Sequence, residues 1–288
     1  MTKVASIVGR AAWQVPPYDV QFSAAPTQPT CVVIPVLNEG QRIRRLLQRM
    51  AACAVRDIAD IIIVDGGSSD GSLAHEPLHL LGVHGLLAKN GPGRLSAQLR
   101  CAYAHVLDAG YTGIVTIDGN DKDDPQTIPA FIAALQRGVD FVQASRFLPG
   151  GVAEHTPWLR DLGIRFVHAP LLARYSGFAW TDTTQGFRAY SARLLLDPRI
   201  APFRDVFSNY ELLAYLSLRA PQLGYRCEEL PTTRRYPADG KVPTKISAVR
   251  GNLEVASSTS KKASFAPLRW SRPVQRQFRL QHQGLKRG

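Results

Sequence analysis

No apolar run in this chain approaches the ~18 residues that a membrane-spanning helix requires, which excludes a helical span. A secretory signal is not expected either, because Arg10 interrupts an already short apolar stretch at the N-terminus. There is no G-x-G-x-x-G, no phosphate-loop signature and no internal repeat. Cysteine is scarce: Cys31, Cys53, Cys101 and Cys227 are scattered without metal-ligand or redox spacing. They read as reduced, mostly buried thiols of a cytoplasmic protein.

What is present is the composition of a globular protein, 288 residues long, 45% hydrophobic and 20% charged. The net charge of +12 is uneven, since Arg250 to Gly288 carries nine Lys or Arg against Glu254 alone, +8 of the total. Residues 246–288 therefore read as a basic C-terminal tail. Its Ser-rich start and interspersed Phe265, Trp270 and Phe278 suit an anionic membrane surface, nucleic acid, or a merely solubilising end. Residues 1–29 lack sustained periodicity and read as a poorly ordered leader, with a docking segment near Trp13 to Tyr18.

From residue 30 strands and helices alternate. Cys31 to Val36 and Asp60 to Asp65 are strand-length apolar runs, and Ile43, Leu46, Leu47 and Met50 between them keep helical spacing. Val83 to Ala88, Gly113 to Ile117 and Phe141 to Ser145 continue the strands, with helices around Leu95 to Val106 and Ile128 to Leu135. Strands buried on both faces and joined by helices predict an α/β fold, a Rossmann-like, mostly parallel sheet flanked by helices in one domain over 30–245. Ligands on such sheets bind beyond the carboxyl ends of the strands.

Those ends carry Pro35-Val36-Leu37-Asn38-Glu39-Gly40, Asp65-Gly66-Gly67-Ser68-Ser69-Asp70-Gly71-Ser72, Lys89-Asn90-Gly91-Pro92-Gly93-Arg94, and Asp118-Gly119-Asn120-Asp121-Lys122-Asp123-Asp124-Pro125. The acidic segment suits a hard divalent cation holding a diphosphate. It equally suits a solvated loop in which Asp124 caps the next helix and Pro125 opens it.

With Ala144-Ser145-Arg146-Phe147, Gln185-Gly186-Phe187-Arg188 and Arg235-Tyr236-Pro237, this series resembles the family-2 inverting glycosyltransferases of GT-A fold over about residues 30 to 245. The dolichyl- and polyprenyl-phosphate mannosyl- and glucosyltransferases are the most similar branch. The resemblance implies a hexose moved from a UDP- or GDP-sugar to a polyprenyl phosphate or lipid-linked saccharide, with Mg2+ or Mn2+. Pro35, Asn38 and Glu39 would line the nucleoside pocket, Asp65 would accept from base N–H groups, and Gly93 and Arg94 would lie along the diphosphate. Asp118, Gly119 and Asn120 would meet the donor, with Asp118, Asn120 and Asp121 as metal ligands.

The family's Asp-x-Asp is here Asp118-Gly119-Asn120, so Asp121 takes over or the cation binds less tightly. Lys122 replaces the Gln often found there, and either carries part of the cation's role or answers Asp121 and Asp123 as a surface lysine. On the acceptor side the resemblance implies Ser145, Arg146, Gln185, Arg188, Arg235 and Lys241, with Arg146 and Arg188 as a phosphate clamp. Arg188 could instead pair with Asp182. Arg234 to Lys245 reads as a basic loop closing over phosphates.

Trp158 to Trp180 mixes apolar residues with Arg160, Arg165 and Arg174, either as an interfacial segment broken near Pro170 or as an ordinary packed helix. The expected location is the cytoplasm, at the cytoplasmic face of a membrane. Two other readings stay open: a hydroxyl acceptor with Asp182 or Glu211 as base, and a pseudo-transferase that binds nucleotide sugar or membrane without turnover. Nothing resembles a nucleic-acid module.

Overall fold

The computed structural model describes residues 10–237; the basic tail over 246–288 and Lys241 lie outside them. Ten strands appear, β1 (Tyr18–Ser23), β2 (Thr30–Val36), β3 (Asp60–Asp65), β4 (Val83–Lys89), β5 (Gly113–Thr116), β6 (Phe141–Ser145), β7 (Val152–Glu154), β8 (Arg188–Ser191), β9 (Cys227–Pro231) and β10 (Thr233–Arg235). Eight of them form one sheet in the order β1-β4-β3-β2-β5-β8-β6-β9, and β7 pairs with β10 in a parallel ribbon. β4, β3, β2 and β5 run parallel, as do β6 and β9, while β1 and β8 are antiparallel to their neighbours.

Alternate residues of the central strands feed two cores, as the period of a strand demands. From β2 and β3, Val32, Ile34, Ile61 and Ile63 meet Ile43, Leu46, Leu47 and Met50 of α1 (Gln41–Ala52) and Phe131 of α4 (Ile128–Gln136). Cys31, Val33, Ile62 and Val64 meet α3 (Leu95–Ala109) and α8 (Glu211–Gln222) on the other side. Both faces are covered, which is why these strands are apolar throughout rather than alternating.

The leader expectation needs correcting for residues 10–29. β1 pairs with β4, Trp13 stacks on Phe203 with ring centroids 3.9 Å apart, and Arg100 donates to the Gln14 carbonyl. Burying the Trp13 ring supplies the apolar contact that holds the segment on the domain. The Trp158 to Trp180 segment is interrupted near Pro170, by a wider helical turn rather than a break in the chain's helical path. α5 (Trp158–Gly163) runs through a π-helical turn, Ile164–His168, into α6 (Ala169–Ser176). The wider turn precedes the proline, whose ring leaves no N–H to donate. Two short helices, α2 (His75–Leu80) and α7 (Ala192–Leu196), complete the fold.

Candidate functional site

The carboxyl ends of β2 and β3 are joined by side chains. Gln98 of α3, buried beneath the sheet rim, donates through Nε2 to the carbonyls of Val36 (2.8 Å) and Val64 (2.6 Å). Beyond the strands, Asn38 accepts from Ser69 N at 2.8 Å, and its own N–H donates to Ser68 Oγ at 3.0 Å. Asp65 accepts from the N–H groups of Gly67 and Ser68 and from Ser68 Oγ, which turns the Gly-Gly-Ser loop around its carboxylate. Asp65 lines an open cavity of about 350 Å³. Pro35 lies buried in β2, and Glu39 pairs with Arg42 at 2.7 Å.

Gly93 has φ of +97°, and a Cβ there would lie 2.6 Å from Ala97 Cβ and 3.0 Å from the Ser208 carbonyl. Glycine at 93 lets the β4–α3 loop press on the start of α8, where Arg94 N donates to the Ser208 carbonyl at 2.6 Å. Arg94 is exposed at this rim. Glu211, a candidate base, sits in the first turn of α8 and accepts from Asn209 N at 2.7 Å, a helix-start role.

The acidic segment after β5 divides between two tasks. Asp121, with φ of +58°, turns away to Arg45 (3.1 Å) and Arg49 (3.0 Å) of α1. It therefore leaves the expected metal set. Asp124 pairs with Arg49 at 2.9 Å and accepts from Gln126 N ahead of α4, with Pro125 following, so the capping reading describes this half.

Asp118, Lys122 and Asp123 face β10 and the Tyr236 that follows it instead. Arg234 donates to the buried Asp123 and, at 3.2 Å, to Asp118. Lys122 Nζ stands 4.9 Å from the Tyr236 ring centroid, with Arg234 at 5.8 Å and Arg160 of α5 at 5.9 Å. Burial pushes the Lys122 ammonium below its ordinary value, and Arg234 adds to the push. Burial would raise the Tyr236 hydroxyl, but Arg234, Arg160 and Arg146 outweigh it and the net direction is down. Three cations around one phenol beside Asp118 make a cradle for an anion.

On the acceptor side, the expected clamp is committed elsewhere. Arg146 is buried and donates to both Asp182 oxygens, at 2.7 and 3.1 Å. Gln185 Nε2 also donates to Asp182, at 2.7 Å. Burial alone would raise the Asp182 carboxyl, yet Arg146 outweighs it and holds it below the ordinary range, which makes it a weak proton acceptor. Arg188, equally buried, donates to the carbonyls of Thr183, Gln185 and Leu213 and to Ser217 Oγ. It joins β8 to α8 and neither clamps a ligand nor pairs with Asp182. Ser145 Oγ lies 2.6 Å from Thr181 Oγ1.

Arg235 points outward to Glu154 at 2.8 Å, and Arg234, its neighbour, is the inward residue. Glu229 is the site residue that sequence reading missed; it places Arg234 only in a basic loop and Arg160 only in an amphipathic segment. Glu229 of β9 receives the N–H groups of Thr181 and Asp182, each at 2.9–3.0 Å, and so holds the Asp182 loop. Burial pushes its carboxyl up to about 7 from 4.5. The native state thus binds more protons than the unfolded chain between these values. The stabilisation from neutral Glu229 is complete below about 4.5 and is lost as pH rises through about 7. Against Glu229→Gln, wild-type stability should fall by about 3 kcal/mol across that window, measured by urea unfolding at stepped pH.

The described residues contain no group of three or more His, Cys, Asp or Glu able to hold a metal. Asp118 remains as an oxygen donor, while the Asn120 side-chain carbonyl accepts from Lys122 N at 3.2 Å and its amide nitrogen faces Asp118. A hard cation that takes one protein oxygen and fills its shell from phosphate and water fits a site built on Asp118. Gly186 makes room for the Asp118 carboxylate: a Cβ there would lie 2.1 Å from Asp118 Oδ1.

A doubly covered, mostly parallel sheet with a polar rim at its strand ends is the scaffold of an α/β protein that binds its ligand at that rim. The family described as Glycosyl transferase family 2 matches residues 31–197, and the chain belongs to it. The protein is a nucleotide-sugar-dependent glycosyltransferase with a GT-A fold. It is similar to polyprenol monophosphomannose synthase of Mycolicibacterium smegmatis, 29% identical over 72% of this chain and 78% of the relative. Undecaprenyl-phosphate mannosyltransferase of Micrococcus luteus is 27% identical over 70% and 81%. Among solved structures, glucosyl-3-phosphoglycerate synthase of Mycobacterium tuberculosis with Mn2+, UDP and phosphoglyceric acid aligns at TM-score 0.53 and 18% identity, over 74% of this chain and 73% of that one. That likeness is one of fold.

Proposed function

We propose that the protein transfers a hexose from a UDP- or GDP-sugar to a polyprenyl phosphate at a membrane surface, with inversion. The observation that carries this reading is the placement of Arg160. It belongs to a helical segment whose Trp158 (68%), Phe166 (70%) and Tyr175 (67%) are exposed, and it reaches the Tyr236 cradle beside Asp118. Large apolar side chains held out to solvent suit an acyl environment, and a cationic cradle at their edge suits the phosphate of a lipid lying there. No helix among the described residues is long and apolar enough to cross a membrane, so a peripheral attachment fits.

A phosphate acceptor is already ionised and needs positioning rather than a base. The locked Asp182 therefore favours it over a hydroxyl acceptor. In the displacement, a phosphate oxygen forms the new bond to the anomeric carbon as the bond to the nucleoside diphosphate breaks. Arg160 and Lys122 orient the attacking phosphate, and Arg234 and Lys122 oppose charge growing on the leaving group. A divalent cation held by Asp118 would neutralise that diphosphate further; Mn2+ bound with UDP in the fold relative supports this.

The test is transfer from a panel of UDP- and GDP-sugars to polyprenyl phosphate in anionic vesicles, with and without Mn2+. The variant Trp158→Ser/Phe166→Ser should lose vesicle binding at least about tenfold and lose lipid-dependent transfer in step, with nucleotide binding unchanged. Transfer to a soluble sugar hydroxyl, indifferent to lipid, would overturn the reading.

A further inference from the structure

We infer that Gln21, on edge strand β1, reads the donor nucleobase. The inference deepens the proposed function and rests on the donor role of Asp65. β1 lies outside residues 31–197 and was no part of the expected site. Its pairing with β4 carries one irregularity, with Val20 opposite Leu87 and Phe22 opposite Leu86. Gln21 is thus the extra residue of a β-bulge, a device that re-aims a side chain at a sheet edge.

Gln21 lines the same cavity as Asp65, together with Ser68, His75, Leu86 and Ala88. The wall is a built one. The Phe22 ring lies 5.4 Å from that of His75, edge to face, and 4.2 Å from that of His79, which fixes β1 against α2. Asn90 Nδ2 donates to Asp19 at 2.7 Å, and the Asn90 N–H donates to the Pro17 carbonyl at 2.9 Å, pinning the strand's start. A cavity of about 350 Å³ is in the range of small-ligand pockets. Leu86 and Ala88 supply an apolar floor for a planar ring, and the polar groups stand at its rim.

The chemistry of the two polar side chains is complementary. Asp65 can only accept, and so takes a ring N–H. The Gln21 carboxamide can donate, and so takes the carbonyl oxygen beside that N–H. Guanine and uracil both present this pair of groups. The base is therefore read between the Asp65 loop, which lies within the family-matched region, and strand β1, which lies outside it.

The experiment measures dissociation constants of GDP, UDP and inorganic diphosphate by calorimetry for wild type, Gln21→Met and Gln21→Glu. Methionine keeps the length and removes the amide; glutamate sets a second carboxylate beside Asp65. The nucleoside diphosphate that wild type binds should weaken about tenfold in Gln21→Met and further in Gln21→Glu, with diphosphate affinity unchanged. Titrating wild type with that nucleotide should also shift the Gln21 side-chain amide resonance in an NMR spectrum. Affinities within twofold of wild type in both variants, or an unmoved amide resonance, overturn the inference and leave the transferase reading intact. Wild type that binds neither nucleotide overturns the donor site itself.

Discussion

Arg234→Ala should destabilise the protein by about 3–5 kcal/mol, the cost of leaving one member of a buried ion pair alone. Asp123 is buried and its Oδ1 already has no hydrogen-bond partner among the described residues, so Arg234 is what makes its charge tolerable. The loss should depend on pH. Burial pushes the Asp123 carboxyl up, and without Arg234 nothing on β10 opposes that push. A raised carboxyl is stabilised in its neutral form at low pH, and that stability is lost as pH rises through the raised value. The variant should therefore unfold much more readily at pH 8 than at pH 5, by roughly 10 °C or more in melting temperature at the higher pH. Adding Asp123→Asn should recover most of the difference. An Arg234→Ala protein as stable as wild type at both pH values would show that the pair does not hold β10 to the site.

Asp118→Asn should lower transfer about 1,000-fold while the melting temperature moves little. The substitution keeps the shape that fits against Gly186 and removes only the charge. Arg234 retains Asp123 as its partner, so the fold does not inherit an unpaired guanidinium. What disappears is the one carboxylate that can face both the cradle and a cation at the leaving group. The assay is single-turnover transfer at saturating donor, which separates chemistry from binding. Wild-type rates in a verified sample would remove Asp118 from the mechanism. A loss confined to donor affinity would make it a binding group alone.

The sheet from β2 to β6 was legible because parallel strands covered on both faces must be apolar at every position, and α1 carried its buried residues at helical spacing. β1 was not, since an edge strand of six residues with most side chains in water leaves no apolar signature. The site divides in the same way. Asp118, Asp65 and Asn38 lie at strand ends, where topology delivers them whatever their partners. The arginines were misjudged because sequence names a side chain without saying which face it takes. In β10, Arg234 enters the site and Arg235 leaves it, and only the parity of a three-residue strand decides between them. Arg146 and Arg188 have the residue type of a phosphate clamp, but burial turns both into internal fasteners. Asp121 was lost to a left-handed backbone angle that no neighbouring residue announces.

The two outermost strands of the main sheet are β1 and β9, and both fall outside the 31–197 stretch that defines the family. Excising that stretch would strip the cover from each margin at once. β4 would offer Val83, Leu86 and Leu87, and β6 would offer Phe141 and Val142, as bare backbone ladders ready to pair with another chain. A fragment cut to residues 31–197 should therefore carry two unpaired sheet edges that β1 and β9 cover in the whole domain, and should aggregate where the longer chain does not.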